Sequence, residues 1–156
     1  MSISTKRKIF VAPEFTPLPC ATLTSAVCEP SWKKHCASPD EVRERCQAFA
    51  RAWEKAGRDP ASFRFSVMAT VLIGADEEDF RDRAARLAER RRQDVGTLLD
   101  SLAGTGVVGT IDQAVERLRE LERAGAQRVM LQHHLHDDLE AVELMGRELI
   151  PRIDSG

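Results

Sequence analysis

Residues 106–131 read Gly106-Val107-Val108-Gly109-Thr110-Ile111-Asp112-Gln113-Ala114-Val115-Glu116-Arg117-Leu118-Arg119-Glu120-Leu121-Glu122-Arg123-Ala124-Gly125-Ala126-Gln127-Arg128-Val129-Met130-Leu131. Two short apolar runs bracket a segment in which Ile111, Ala114, Val115, Leu118 and Leu121 recur at three- and four-residue steps. That period is one face of a helix, and the flanking runs are strands. Thr110-Ile111-Asp112-Gln113 has the spacing of a capping box at the helix start, and Gly125 suits its end. Strand, helix and strand in so short a span predict a right-handed crossover and a parallel sheet.

The pattern extends both ways. Downstream, Arg128–Gln132 reads as a strand. Asp137 is the predicted cap of a last helix that carries Leu139, Val142, Met145 and Leu149 inward and stops at Pro151. Upstream, Phe63–Ile73 begins with polar–apolar alternation and ends apolar on both sides, as a strand entering a buried sheet does. Asp76, Glu77, Glu78 and Asp79 then crowd one helix terminus, and Arg90, Arg91 and Arg92 the other, as the helix dipole favours. A short helix is predicted over Thr97–Leu102. Further upstream, Ser38-Pro39-Asp40-Glu41 opens a helix whose apolar face is Val42, Cys46, Phe49, Ala50 and Trp53, closed by Gly57 and Pro60. Only three strands are visible, so the parallel sheet has two edges to cover.

Residues 1–36 differ in kind. Pro13, Pro17, Pro19 and Pro30 interrupt them and no period persists. An irregular, poorly ordered segment is expected there, with the folded unit over 37–156. Lys6, Arg7 and Lys8 precede Ile9-Phe10-Val11, but prolines break the apolar run, so neither signal peptide nor anchor is read. Cys20, Cys28, Cys36 and Cys46 form no Cys-x-x-Cys pair; reduced thiols in a cytoplasmic protein are expected. The 156 residues carry 23 Lys and Arg against 25 Asp and Glu. This balance argues against a nucleic-acid partner, and no apolar run approaches the roughly 18 residues of a membrane span.

Gly109–Leu118, continuing through Ala124–Leu131, resembles the closing segment of luciferase-like monooxygenases. Within them it is most similar to the oxidoreductases that use the deazaflavin coenzyme F-420. Ala37-Ser38-Pro39-Asp40-Glu41-Val42 and the turn Ala56-Gly57-Arg58-Asp59-Pro60 fit the same pattern. Leu131-Gln132-His133-His134-Leu135-His136-Asp137-Asp138-Leu139-Glu140 fits one subgroup. The resemblance covers roughly 37–153, with Trp32 as an alternative start, and leaves out 1–31. It implies an α/β fold of the (β/α)8 TIM-barrel type, of which this chain is a partial barrel holding the C-terminal β/α units. A whole barrel takes about 250 residues, so the rest would lie upstream. The implied activity is hydride or oxygen transfer with F-420 or FMN as cofactor, the cofactor reacting and the protein positioning it. In the family, most contacts to the cofactor ring and much of the phosphate grip come from earlier strands, which have no counterpart here. The alternative is a non-catalytic barrel fragment acting as an assembly element, its edges covered in a homo-oligomer or by another polypeptide.

Gly109 and Thr110 stand between a strand and a helix start. Free N–H groups and the helix dipole there can hold a phosphate, making Gly109 and Thr110 candidates for a cofactor-facing rim. The other reading is a capped helix, with Gly109 serving the turn. His133 follows a strand's C-terminal end and is the candidate for a cofactor- or substrate-facing group; the other reading is a polar loop. Adjacent His133 and His134 point to opposite sides of a strand and cannot easily share a metal, so none is expected. No nucleophile-and-base motif, phosphate loop or dinucleotide fingerprint is present, and no catalytic residue is assigned. Glu116, Arg117, Arg119, Glu120, Glu122 and Arg123 read as a solvated helix face.

Overall fold

Ser38 starts the first helix with a reciprocal pair of bonds. Its Oγ accepts from the Glu41 N–H at 3.3 Å, and Glu41 Oε2 accepts from the Ser38 N–H at 3.0 Å. The protein is seen here in a computed structural model that describes residues 38–62 and 64–154. Helix α1 runs Pro39–Lys55, and Gly57 just beyond it takes φ +69°. Removing the cap with Ser38→Ala is expected to cost about 1 kcal/mol, read as a lower urea midpoint at unchanged slope. The predicted apolar face of α1 is only partly covered. Val42 is buried, whereas Phe49 is half exposed, tilted against Phe65 with ring centroids 5.9 Å apart. The expected boundary at 36/37, the irregular segment before it, Cys20, Cys28, Cys36 and Phe63 all lie outside the described residues. Cys46 is a free thiol.

Strand β1 (Ser66–Gly74) is followed by α2 (Glu77–Arg91), α3 (Val95–Leu102), β2 (Val107–Thr110), α4 (Ile111–Arg123) and β3 (Arg128–His133). All pairings are parallel, as expected from strands alternating with helices. The strand order is β2-β1-β3, so the first strand is central. β3 pairs with Ser66–Val71 of β1, and β2 with Val71–Gly74. Successive side chains of a strand face opposite ways, and β1 uses both faces. Val67, Ala69, Val71 and Ile73 join the larger core cluster with Ala114, Leu118 and Leu121 of α4. Leu72 points the other way, into a second cluster with Ala84, Leu87 and Ala88 of α2 and Leu98 and Leu102 of α3. This double covering is why the second half of β1 is apolar at every position.

The C-terminal segment departs from the sequence reading in three respects. Asp138, not Asp137, caps the next helix, its Oδ1 accepting from the Ala141 N–H at 2.9 Å. Helix α5 (Leu139–Leu144) buries Ala141 and Leu144 and leaves Leu139 and Val142 exposed. Met145 and Leu149 are fully buried as expected, so the inward stripe runs through Ala141, Leu144, Met145 and Leu149. Nor does Pro151 stop the helix. A π-helical turn, Met145–Leu149, runs into α6 (Ile150–Asp154), with the Ile150 N–H reaching back five residues to the Met145 carbonyl. Proline in a helix interior clashes with the carbonyl four residues before it, and the widened turn just upstream makes room for the ring.

Candidate functional site

The three strands end at one edge of the sheet. Parallel α/β proteins bind ligands beyond the carboxyl ends of their strands. Register places Gly109 beside Ile73 and Thr110 beside Gly74 on one flank of β1, and His133 beside Val71 on the other. Gly109–Thr110 and His133 therefore share an edge but not a contact. Two strand spacings, about 10 Å, separate them.

Gly109 takes φ +119°, a conformation that favours glycine. A Cβ there would lie 2.0 Å from Gln113 Oε1, and that same oxygen accepts from the Thr110 N–H at 2.8 Å. The capped-helix reading thus describes the local geometry, and the Thr110 N–H is already engaged. Beside it lies an open cleft of about 660 Å³, floored by Phe80, Leu99, Leu102 and Val108. Its volume falls in the range of ligand clefts, but its rim carries Glu77, Glu116 and Glu120. Arg117, on the same rim, is not the solvated residue that the sequence suggests. It is largely buried, pairs with Glu120 at 2.8 Å, and donates to the carbonyls of Gly104 and Gly106 (3.3 Å to the latter). Glu116 pairs with Arg123 at 2.6 Å on the exposed face; that hydrogen bond, more than the charge of Arg123, holds the Glu116 carboxyl below its usual value.

The other flank holds a buried polar cluster that sequence reading missed. Arg83 is 5% exposed. It donates to the Ile73 carbonyl at 3.2 Å and sits 3.0 Å from Asp79 and 3.5 Å from Asp138. Asp138, also buried, receives Arg86 at 3.0 Å. The available signal was Arg83 lying in one stripe with Ala84, Leu87 and Ala88, where a solvated arginine has no place.

His133 and His134 lie beside this cluster, turned to different sides. Burial is the first cause lowering the His133 pKa from its usual 6.5, aided by Arg83 and His136 and opposed by a hydrogen bond with the Leu135 backbone and by Asp138. Its Nε2 is buried with no hydrogen-bond partner among the described residues. His134 is lowered by burial first, then by Arg91, His136 and His133; its Nε2 lies 3.5 Å from Thr70 Oγ1. Asp137 pairs with Arg90 at 2.8 Å. Among the described residues, no three His, Cys, Asp or Glu side chains converge as a metal-ligand set, and no helix is long and apolar enough to cross a membrane.

Comparison with known proteins places this geometry. The chain is similar in structure to a coenzyme F-420-dependent tetrahydromethanopterin reductase from Methanopyrus kandleri, with TM-score 0.56 and 20% identity over 76% of this chain and 44% of that one. It is similar to an F-420-dependent secondary alcohol dehydrogenase solved with an F-420–acetone adduct, at TM-score 0.58 and 15% identity over 76% and 41%. It also matches a long-chain alkane monooxygenase at TM-score 0.52 and 14% identity over 77% and 35%. The chain thus spans less than half the length of each, and its α/β fold is that of a partial (β/α)8 barrel. No curated protein matches in sequence. The sequence profile of luciferase-like monooxygenases matches residues 23–128; it begins upstream of the 37–153 span of the resemblance, taking in 23–31, and ends before that span does. With more than half of its residues inside that match, the chain belongs to the luciferase-like monooxygenase family.

Proposed function

We propose that this chain forms the C-terminal β/α units of a flavin- or deazaflavin-dependent oxidoreductase, and that cofactor binding and turnover need strands beyond the three described here. The observation that carries this reading is the family match over residues 23–128, joined to strands that all end at one edge. Gly109, Thr110 and His133 are the groups of this chain we assign to face F-420 or FMN. Taken alone, they do not fit a phosphate-bearing cofactor. The Thr110 N–H is held by Gln113, and Glu77, Glu116 and Glu120 stand on the rim where a phosphate would come. Carboxylates near a phosphate oppose its binding. The phosphate grip therefore falls to other strands.

The open edges of a three-stranded sheet favour a second element of the reading, self-association of the chain. Dialysis against F-420 or FMN, followed by absorbance and light scattering, tests both. The expected product is colourless, with a mass that rises with concentration. A monomer retaining stoichiometric cofactor would refute the proposal. In any preparation that does retain cofactor, unchanged affinity in Thr110→Ala removes Thr110 from the rim.

A further inference from the structure

We propose that the end of β3 and the loop after it, His133–Asp138, form a proton-sensitive strap over the C-terminal end of the β1–β3 pair, held down while His133 and His134 are neutral and released when they gain a proton. This inference is independent of the cofactor reading, because it rests only on contacts within the chain.

The strap is fastened at four points. Leu135 is buried in the cluster of Leu72, Ala84 and Leu87. His134 rests against Thr70, Asp137 takes Arg90, and Asp138 takes Arg83 and Arg86. Charge decides what a proton does there. Helix α2 presents Arg83, Arg86, Arg90 and Arg91 to this loop, with its own Asp79 ion-paired to Arg83. The loop returns only Asp137 and Asp138, and adds His136 beside both histidines. Strand β1 contributes the uncharged Thr70. Four arginines thus face three aspartates, and any imidazolium formed there adds to the excess.

The sign follows. Folded, both histidines titrate below 6.5, because burial and neighbouring cations disfavour their charged forms. On a released loop they regain the ordinary value, so protons bind the released state more tightly. The hold is complete above about 6.5 and is lost as pH falls through the lower folded values. Release vacates the place of Leu135 beside Leu72 and uncovers the Thr70 hydroxyl, so the strap controls access to the end of the sheet where α/β proteins bind ligands.

Hydrogen exchange on the whole chain, corrected for intrinsic rates, tests this. Two amides report the strap: Asp138, donating to the Leu135 carbonyl at 2.8 Å, and Ala141, donating to Asp138 Oδ1 at 2.9 Å. Between pH 7.5 and 5.5 their protection is expected to fall, by up to about tenfold for each histidine released, while amides of β1 and α4 keep theirs. The double variant His133→Gln, His134→Gln is expected to abolish the fall. Should it fail to fold, the exposed Arg91→Gln serves instead: removing that cation from beside His134 is expected to shrink the fall. Protection independent of pH, a fall shared by β1, or a fall untouched by these substitutions would overturn the proposal.

Discussion

Replacing Asp138 by alanine is expected to lower the free energy of unfolding by about 3–5 kcal/mol, a large part of the roughly 5–15 kcal/mol that holds a domain together. The side chain does two jobs. Its Oδ1 caps α5 through the Ala141 N–H, and its Oδ2 receives Arg86 at 3.0 Å and lies 3.5 Å from Arg83. Cap loss alone is worth about 1 kcal/mol. The larger part comes from Arg83, left buried with Asp79 as its remaining counter-charge. Asp138→Asn keeps an acceptor for the cap and removes only the charge, so it should cost less. The pair Arg83→Met with Asp138→Ala should recover part of the loss, because an apolar replacement of a buried ion pair strands no charge. Urea unfolding followed by circular dichroism measures all three. A loss under about 1 kcal/mol in Asp138→Ala would mean that the pair behaves as a surface salt bridge.

Gly74→Ala is the second large effect. Gly74 closes β1, and the first turn of α2 folds back directly over it. A Cβ there would lie 2.2 Å from the Phe80 nitrogen, 2.6 Å from its Cα and 2.8 Å from the Asp76 carbonyl oxygen. All three are backbone atoms, so no rotamer change relieves the clash. The α2 N-terminus would have to lift, breaking the Asp76 cap, whose Oδ1 accepts from the Glu78 and Asp79 N–H groups at 3.0 and 2.9 Å. The expected cost is about 3 kcal/mol or more, read as a fall in thermal midpoint. Gly57→Ala is the control. No atom lies within 4 Å of a Cβ at that position, so only the positive φ is penalised, at about 1 kcal/mol.

Much of this architecture is written in local patterns. The 3.6 period of Ile111–Leu121, the two capping boxes and the apolar second half of β1 each name an element without reference to the rest of the chain. The family resemblance likewise rests on Gly109–Leu118 and its neighbours. Features that depend on distant residues escaped. Arg83 looks like any helical arginine until Asp138, 55 positions later, arrives beside it. Arg117 joins an exposed charge pattern in sequence, yet its guanidinium turns to carbonyls 11 and 13 residues upstream. The central place of β1 was also hidden, since periodicity reports faces and not neighbours. At the edge, Gly109, Thr110 and His133 were located correctly on strand ends. What separates them, an intervening strand, is a property of topology alone.

The turn of Arg117 toward Gly104 and Gly106 reaches beyond the native fold. Those carbonyl oxygens lead into β2, on the rim of the sheet where a strand from another molecule would dock by hydrogen bonding. With the guanidinium already bound to them and Gln113 holding the Thr110 N–H, an incoming polypeptide finds the template engaged at both ends of β2 and open only between them. Ribbon-like misassembly of partly unfolded molecules should therefore grow from the opposite rim, and charge-neutralising replacements of Arg117 should let it grow from both.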